Sequence, residues 1–178
     1  MTDSRRRRTV IKMTELFLQE LDRESERCRR ALEQVPDDRS EWKPHERSMI
    51  FGYLAHMVAT MPSWVAMAIT RDELELKPEG GPTVDRGQWK TSSQFLAALD
   101  KSMADARTAL QRTDDDFLMT PWRLLLGGQV VFEAPRHVVI QDTFNHLSHH
   151  RGQMTVYLRL MGAKVPALYG PSADDQRF

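Results

Sequence analysis

Apolar residues recur at helical spacing along four long segments of the chain, and Pro- and Gly-containing breaks separate them. Each segment carries a stripe that must be buried against another, which restricts the chain to helix-on-helix packing. The first runs from about Thr9 to Gln34 and sets Met13, Phe17, Leu21, Cys28 and Leu32 on one face, with Pro36 beyond its end. The loop PDDRSEWKPHERS follows, and Ser48 is the expected N-cap of the second segment. That segment, Met49 to about Ile69, is apolar over a wide face (Ile50, Leu54, Met57, Met61, Trp64, Val65, Ala68), as in a deeply packed helix. After a loop with Pro78, Gly80, Gly81 and Pro82, Thr91-Ser-Ser-Gln94 opens the third with capping-box spacing, and it reaches about Arg112. The fourth runs from about Pro135 to Met161, with Pro in its first turn and Gly162 just past its end. Between the last two, Trp122–Leu126 and Gln129–Glu133 flank Gly127-Gly128, a two-residue hairpin signal, although an irregular loop fits the same residues nearly as well. The expected fold is all-α: a four-helix bundle with a minor β-hairpin before the last helix.

The 178 residues suffice for one domain, expected over 13–178, with 1–12 as a basic, solvated and disordered tail. Met13 stands as an alternative start. Lys+Arg and Asp+Glu balance at 25 each, so no global field recruits nucleic acid or an anionic membrane, and Arg5–Arg8 has no basic stripe to continue it. No apolar run approaches the ~20 residues that span a bilayer. One cysteine, Cys28, excludes an intramolecular disulfide, which fits a reducing, cytoplasmic setting. Its spacing with Leu21 and Leu32 makes it a small core hydrophobe rather than a nucleophile.

The fourth segment contains FNHLSHHRGQMTVYLRL, residues 144–160, and with it His146, His149 and His150, half of the six histidines. On a helix, position 150 lies only about 40° round from 146. Val139, Thr143, Leu147, Met154, Tyr157, Leu158 and Met161 share that direction, so His146 and His150 are expected to point inward, while His149 lies at the edge of the face. Two inward imidazoles on one face have two readings. Either the core satisfies them, or a divalent metal takes the neutral rings and relieves their mutual repulsion. A third ligand would come from elsewhere. His56 sits mid-way along the second segment near the margin of its apolar face; His45 in the loop and His137 at the start of the fourth helix read as solvent-facing residues or caps. Arg151 points away from the histidine face, which suits a structural ion pair, and Tyr157 is expected to pack in the core.

The run His146-Leu-Ser-His-His150-Arg151-Gly152-Gln153 resembles the H-x-x-x-H-R-G-Q motif of the DinB-like (DinB/YfiT-like) family. Leu54-Ala55-His56 followed by Trp64, the loop Trp42-Lys43-Pro44, and the Leu158 to Gly162 helix exit match in the same order. The resemblance covers the chain from roughly Met13 to the tail. It implies a bundle of up-down-down-up topology and one divalent metal held by three histidines, one from the second helix and two from the last. Mapped by motif, these are His56, His146 and His150. The Trp122–Glu133 segment and the N-terminal extension fall outside the shared pattern.

Such a site leaves the ion an open position, as catalytic metals require. The reading that follows is a metal-dependent enzyme acting on a small molecule, of thiol S-transferase or hydrolase type. The expected partner is a low-molecular-weight thiol or another small substrate, and the expected assembly is a homodimer. Zinc or nickel come first as the metal, iron or manganese next. Asp142, one turn before His146, is a candidate to orient that ring, and Gln153 a candidate to hydrogen-bond a ligand. A non-catalytic metal- or small-molecule-binding bundle with a stress-response accessory role is the alternative.

Overall fold

The computed structural model describes residues 11–78 and 90–177, so Arg5–Arg8 and the Gly80, Gly81 and Pro82 of the second loop lie outside the described residues. Among the described residues, six helices and three short strands follow in order: α1 (Met13–Leu32), α2 (Phe51–Thr60), α3 (Ser63–Thr70), β1 (Glu73–Glu75), α4 (Ser92–Gln111), α5 (Asp115–Leu118), β2 (Pro121–Leu126), β3 (Gln129–Pro135) and α6 (Arg136–Leu160). The chain is mostly helical with a small three-stranded sheet. α1, α2 and α3 each pack on both α4 and α6, and α1 also touches α2. One apolar cluster joins them, with Leu21, Phe51, Phe95, Leu99, Ile140 and Leu147 at its fully buried centre. Among the described residues no helix is long and apolar enough to cross a membrane.

The second periodic segment is not one helix. It breaks after Thr60 and resumes at Ser63, because Pro62 has no N–H to give the Val58 carbonyl and its ring crowds that carbonyl. Hydroxyls take over near the break: Thr60 Oγ1 donates to His56 O at 2.8 Å and Ser63 Oγ to Thr60 O at 2.7 Å. Nor does Ser48 cap α2. The N-cap is Ile50, without a side-chain cap, and the loop backbone replaces it. Trp42 O accepts from Phe51 N at 2.8 Å and Ser40 O from Gly52 N at 2.7 Å. A Cβ at Gly52 would lie 3.0 Å from the Ser40 Cβ and carbonyl oxygen, so this close approach requires glycine.

Other ends form as their residues dictate. Thr91 and Gln94 make the reciprocal capping box of α4. Gly162, at φ 76°, closes α6 in a Schellman turn, with Ala163 N donating to Leu158 O and Gly162 N to Arg159 O. The start of α1 is capped from far along the chain, by the Asp115 carboxylate on Met13 N and Thr14 N.

The hairpin forms, one element larger than expected. Gly127 and Gly128 both take positive φ, 60° and 78°, as a two-residue primed turn needs. β2 and β3 pair antiparallel with an irregularity that leaves Val131 without a cross-strand partner. Unforeseen in the periodicity, β1 adds to β2 in parallel, Leu74 opposite Leu124. The Glu75 carboxylate then accepts from Gly127 N and Gly128 N, tying the turn to β1. Expected as all-α, the chain thus carries a three-stranded sheet ordered β1-β2-β3.

Candidate functional site

Helix α6 sets the three clustered imidazoles, and its neighbours decide what each meets. His150 is buried at 6% exposure, whereas His146 and His149 are exposed. The His146 and His150 ring centroids lie 4.6 Å apart with planes 34° from parallel, the closeness that i, i+4 spacing confers. His149 stands 5.3 Å from His150 and 6.5 Å from His146 by the same measure, at the rim. The expectation that both members of the pair point into the core therefore holds for His150 and not for His146. One turn towards the helix start, the core gives way to a cavity of about 890 Å3, and His146 lines it.

This cavity lies between α2, α3, α6 and the sheet. His56 lines it from α2 and is itself buried at 6% exposure, deeper than the helix-margin position its sequence context suggests. Tyr53 lies parallel to the His56 ring at 6.2 Å, and Trp64 meets His146 edge-on at 5.7 Å. His56 and His146 thus face one space, and His146 adjoins His150. Among the described residues, however, no three His, Cys, Asp or Glu side chains stand ready-grouped to hold a metal ion.

Burial pulls the His146 imidazole below its ordinary range, and the neighbouring His150 and His149 rings add to that. Burial lowers His150 as well, partly opposed by its hydrogen bond to Gln153, with His149 adding to the depression. Gln153 Oε1 lies 2.9 Å from His150 Nδ1. An amide oxygen only accepts, so Nδ1 carries the proton and the ring's lone pair sits on Nε2. Gln153 therefore orients a histidine through its amide oxygen. Asp142 lines the cavity beside His146 but makes no hydrogen bond to it among the described residues. His45 Nδ1 accepts from Arg47 N at 3.2 Å and His137 Nδ1 meets Leu118 O at 3.2 Å, both away from the cavity.

On the opposite side of α6, Arg151 is fully buried and pairs with the buried Glu24 of α1. Its guanidinium also donates to Tyr169 Oη at 2.6 Å and approaches Cys28 Sγ at 3.4 Å. Burial pushes the Cys28 thiol up to about 11, although Arg151 draws it back, so the thiol stays protonated and inert at neutral pH. Tyr157 is half-buried against Trp42 and Phe51, and its hydroxyl donates to Met49 O at 3.2 Å. The Trp-Lys-Pro loop thus docks on α6.

The residues that the sequence left unassigned are those roofing the cavity: Leu74 on β1, Trp122 and Leu124 on β2, and Phe132 on β3. Their apolar character was legible, but not the folding of the sheet over the histidine face. Arg136 was also missed. It reaches back to the carbonyls of Ala68 and Arg71, at 2.5 and 2.6 Å, and to Asp72, fixing the end of α3 to the start of α6.

A helical frame with a histidine pair on its last helix, and a third histidine across a shared cavity, is the setting in which the likeness to known proteins falls. The chain belongs to the DinB family, whose model matches residues 8–177. It is similar in structure to a DinB-like protein from Bacillus cereus ATCC 10987, with 25% identity and a TM-score of 0.63 over 86% of this chain and 95% of that one. A DinB-like protein of Bacillus subtilis, YjoA, shares the fold at a TM-score of 0.62 and 17% identity, covering 91% of this chain and 99% of that one. The uncharacterized protein YrdA of Bacillus subtilis (strain 168) is 32% identical over 85 residues, 48% of this chain and 49% of its own length. The matched stretch thus spans about half of that relative.

Proposed function

We propose that this DinB-family protein binds one divalent metal ion through His56, His146 and His150 and acts as a metal-dependent enzyme on a small molecule, of thiol S-transferase or hydrolase type. The observation that carries the reading is that His56 and His146 line one cavity while the His150 ring lies 4.6 Å from that of His146. The donor chemistry fits. Two adjacent imidazoles held towards the neutral form, one with its lone pair on Nε2, are the form in which histidine ligates. When bound, such an ion lowers the pKa of a coordinated water or holds a coordinated thiol as thiolate.

The chain's own residues do the rest. Gln153 fixes the His150 tautomer, Trp64 and Tyr53 hold the His146 and His56 rings by their faces and edges, and Asp142 brings a carboxylate to the same wall. The open cavity favours the enzyme over a purely structural metal site, which a fourth protein ligand would close. Zinc or nickel are the first choices, iron or manganese the next. The four long helical segments, with α2 and α3 counted as one, are read as an up-down-down-up bundle. The exposed Val156 and Leu160, one helical turn apart on α6, support pairing into a homodimer, which light scattering tests.

Metal analysis of purified variants tests the site. His146→Ala and His150→Ala should each lose stoichiometric metal, and His149→Ala should keep it. Retention in His150→Ala with loss in His149→Ala would sink the ligand assignment.

A further inference from the structure

The geometry points to an apolar subsite beside the imidazoles: the cavity takes an organic molecule with an uncharged aromatic body, its reacting end at His56 and His146 and its body between α3 and the sheet. This rests on reading the cavity as the functional site. At about 890 Å3 it falls within the ~300–1,000 Å3 typical of pockets that enclose a small organic ligand. Its two ends differ in chemistry. Polar groups gather where His56, Asp142 and His146 meet, and Thr70, Arg71 and Asp105 add polar edges on the helix side, whereas Met57, Trp64 and Met67 and the sheet residues Leu74, Leu124 and Phe132 make the apolar walls.

A wholly polar thiol has no hydrogen-bond partner along those sheet residues, and burying its hydroxyl or amide groups there costs free energy. An aromatic ring loses nothing by it, since thioethers and ring edges are its favoured neighbours. Of the charged groups on the wall, Asp105 is already paired with Lys101 at 2.6 Å, and the Asp142 carboxylate and the Arg71 guanidinium are of opposite sign, so the wall carries no excess charge that calls for an ionic ligand. Phe132 is 41% exposed and Leu76 44% exposed although both line the cavity, so apolar surface stands open with a ligand-sized space beneath it. The sheet is thereby the specificity-determining element.

The probe is N-phenyl-1-naphthylamine, an uncharged aromatic amine whose emission rises in apolar surroundings. It is titrated into the full chain before and after chelator treatment. One saturable site per chain is expected in both forms. Phe132→Ala should bind about tenfold more weakly, the loss expected from removing a ring's contact area. Val131→Lys, on the same strand at a 54% exposed position that does not line the cavity, should bind as the parent does. Leu124→Ser is a second wall variant with the same expected direction, and thermal melts check that each variant is folded. Absence of saturable binding, wild-type binding by folded Phe132→Ala and Leu124→Ser, or equal loss in Val131→Lys would each overturn the inference. Metal content is measured on the same samples. Dye binding without metal leaves the subsite standing and removes the metal reading; metal without dye binding does the reverse.

Discussion

Helix α6 carries two polar groups on opposite sides, and the chain treats them in opposite ways. Arg151 is closed in: Glu24 neutralises it, and Ser148, Tyr169 and Cys28 surround it. A further cation, Arg27, reaches Glu24 at 2.7 Å and a second carboxylate, Glu20, at 3.9 Å, and its guanidinium lies 4.2 Å above the Tyr169 ring. The histidine side is left open. His146 and His150 face each other as two rings of the same kind, with Gln153 as the hydrogen-bond partner of only one nitrogen. A cluster with its charges matched and buried is built for holding elements together. Like rings beside a cavity satisfy each other poorly and are better placed to receive something from outside.

The largest effect expected from that contrast is on stability. Arg151→Met removes the fully buried partner of Glu24 and leaves that carboxylate to Arg27 alone, so the loss should approach, without exceeding, the about 3–5 kcal/mol typical of breaking a buried ion pair. His146→Ala, at an exposed position, should cost less than about 1 kcal/mol in metal-free protein. Chemical denaturation of both variants checks the ranking. If the two lose equal stability, the closed and open sides are not different in kind.

Next in size is the effect of the ion. A ligand that binds only the folded state adds about 2.7 kcal/mol at a hundred times its Kd. Wild-type protein with added zinc or nickel should therefore melt higher than chelator-treated protein, and in His150→Ala that gap should vanish. Thermal melts with and without chelator read it directly. A gap that survives in His150→Ala would place the ion elsewhere.

The contrast also shows how much was legible beforehand. Helical period alone separated the two sides, since Arg151 pointed away from the face of His146 and His150 on the wheel, and an ion pair was the natural reading of it. Its partner was not legible, because Glu24 lies 127 positions away and nothing local distinguishes it from the other acidic residues of α1. The capping box at Thr91 and the glycine exit at Gly162 were legible because each is a local device. The break at Pro62 was equally local, but the long apolar run of the second segment outweighed it. Ser48 failed as a cap because carbonyls of Ser40 and Trp42, brought round by the loop, reached the helix start first. The sheet over the site was the least legible part. β1 spans three residues, and its parallel pairing to β2 is a long-range contact that no periodicity records. The cavity's position, and with it the exposure of His146, followed from that pairing.

The smallest expected effect is on pH dependence, and it addresses the open side alone. Burial holds His146 and His150 below the ordinary imidazole value of about 6.5, helped at His146 by the His150 and His149 rings and at His150 by the His149 ring, against the opposing hydrogen bond to Gln153. The carboxylate of Asp142 shares the cavity wall with His146 but makes no ion pair with it among the described residues, and so does not reverse that direction. In metal-free protein the unfolded chain then takes up protons at these two positions before the folded chain does. Stability is fully present above about 6.5 and falls as the pH drops from there through the depressed folded-state values, below which the loss stops. Against its burial, Arg151 is held above its usual range by Cys28 and Glu24 and stays charged throughout, so it contributes no slope of its own in this window. Chelator-treated wild type should therefore lose more melting temperature between pH 7 and pH 5 than the double variant His146→Ala, His150→Ala. Equal losses in the two would mean that the pair is not held towards its neutral form, and the open side of α6 would lose the property that suits it to ligation.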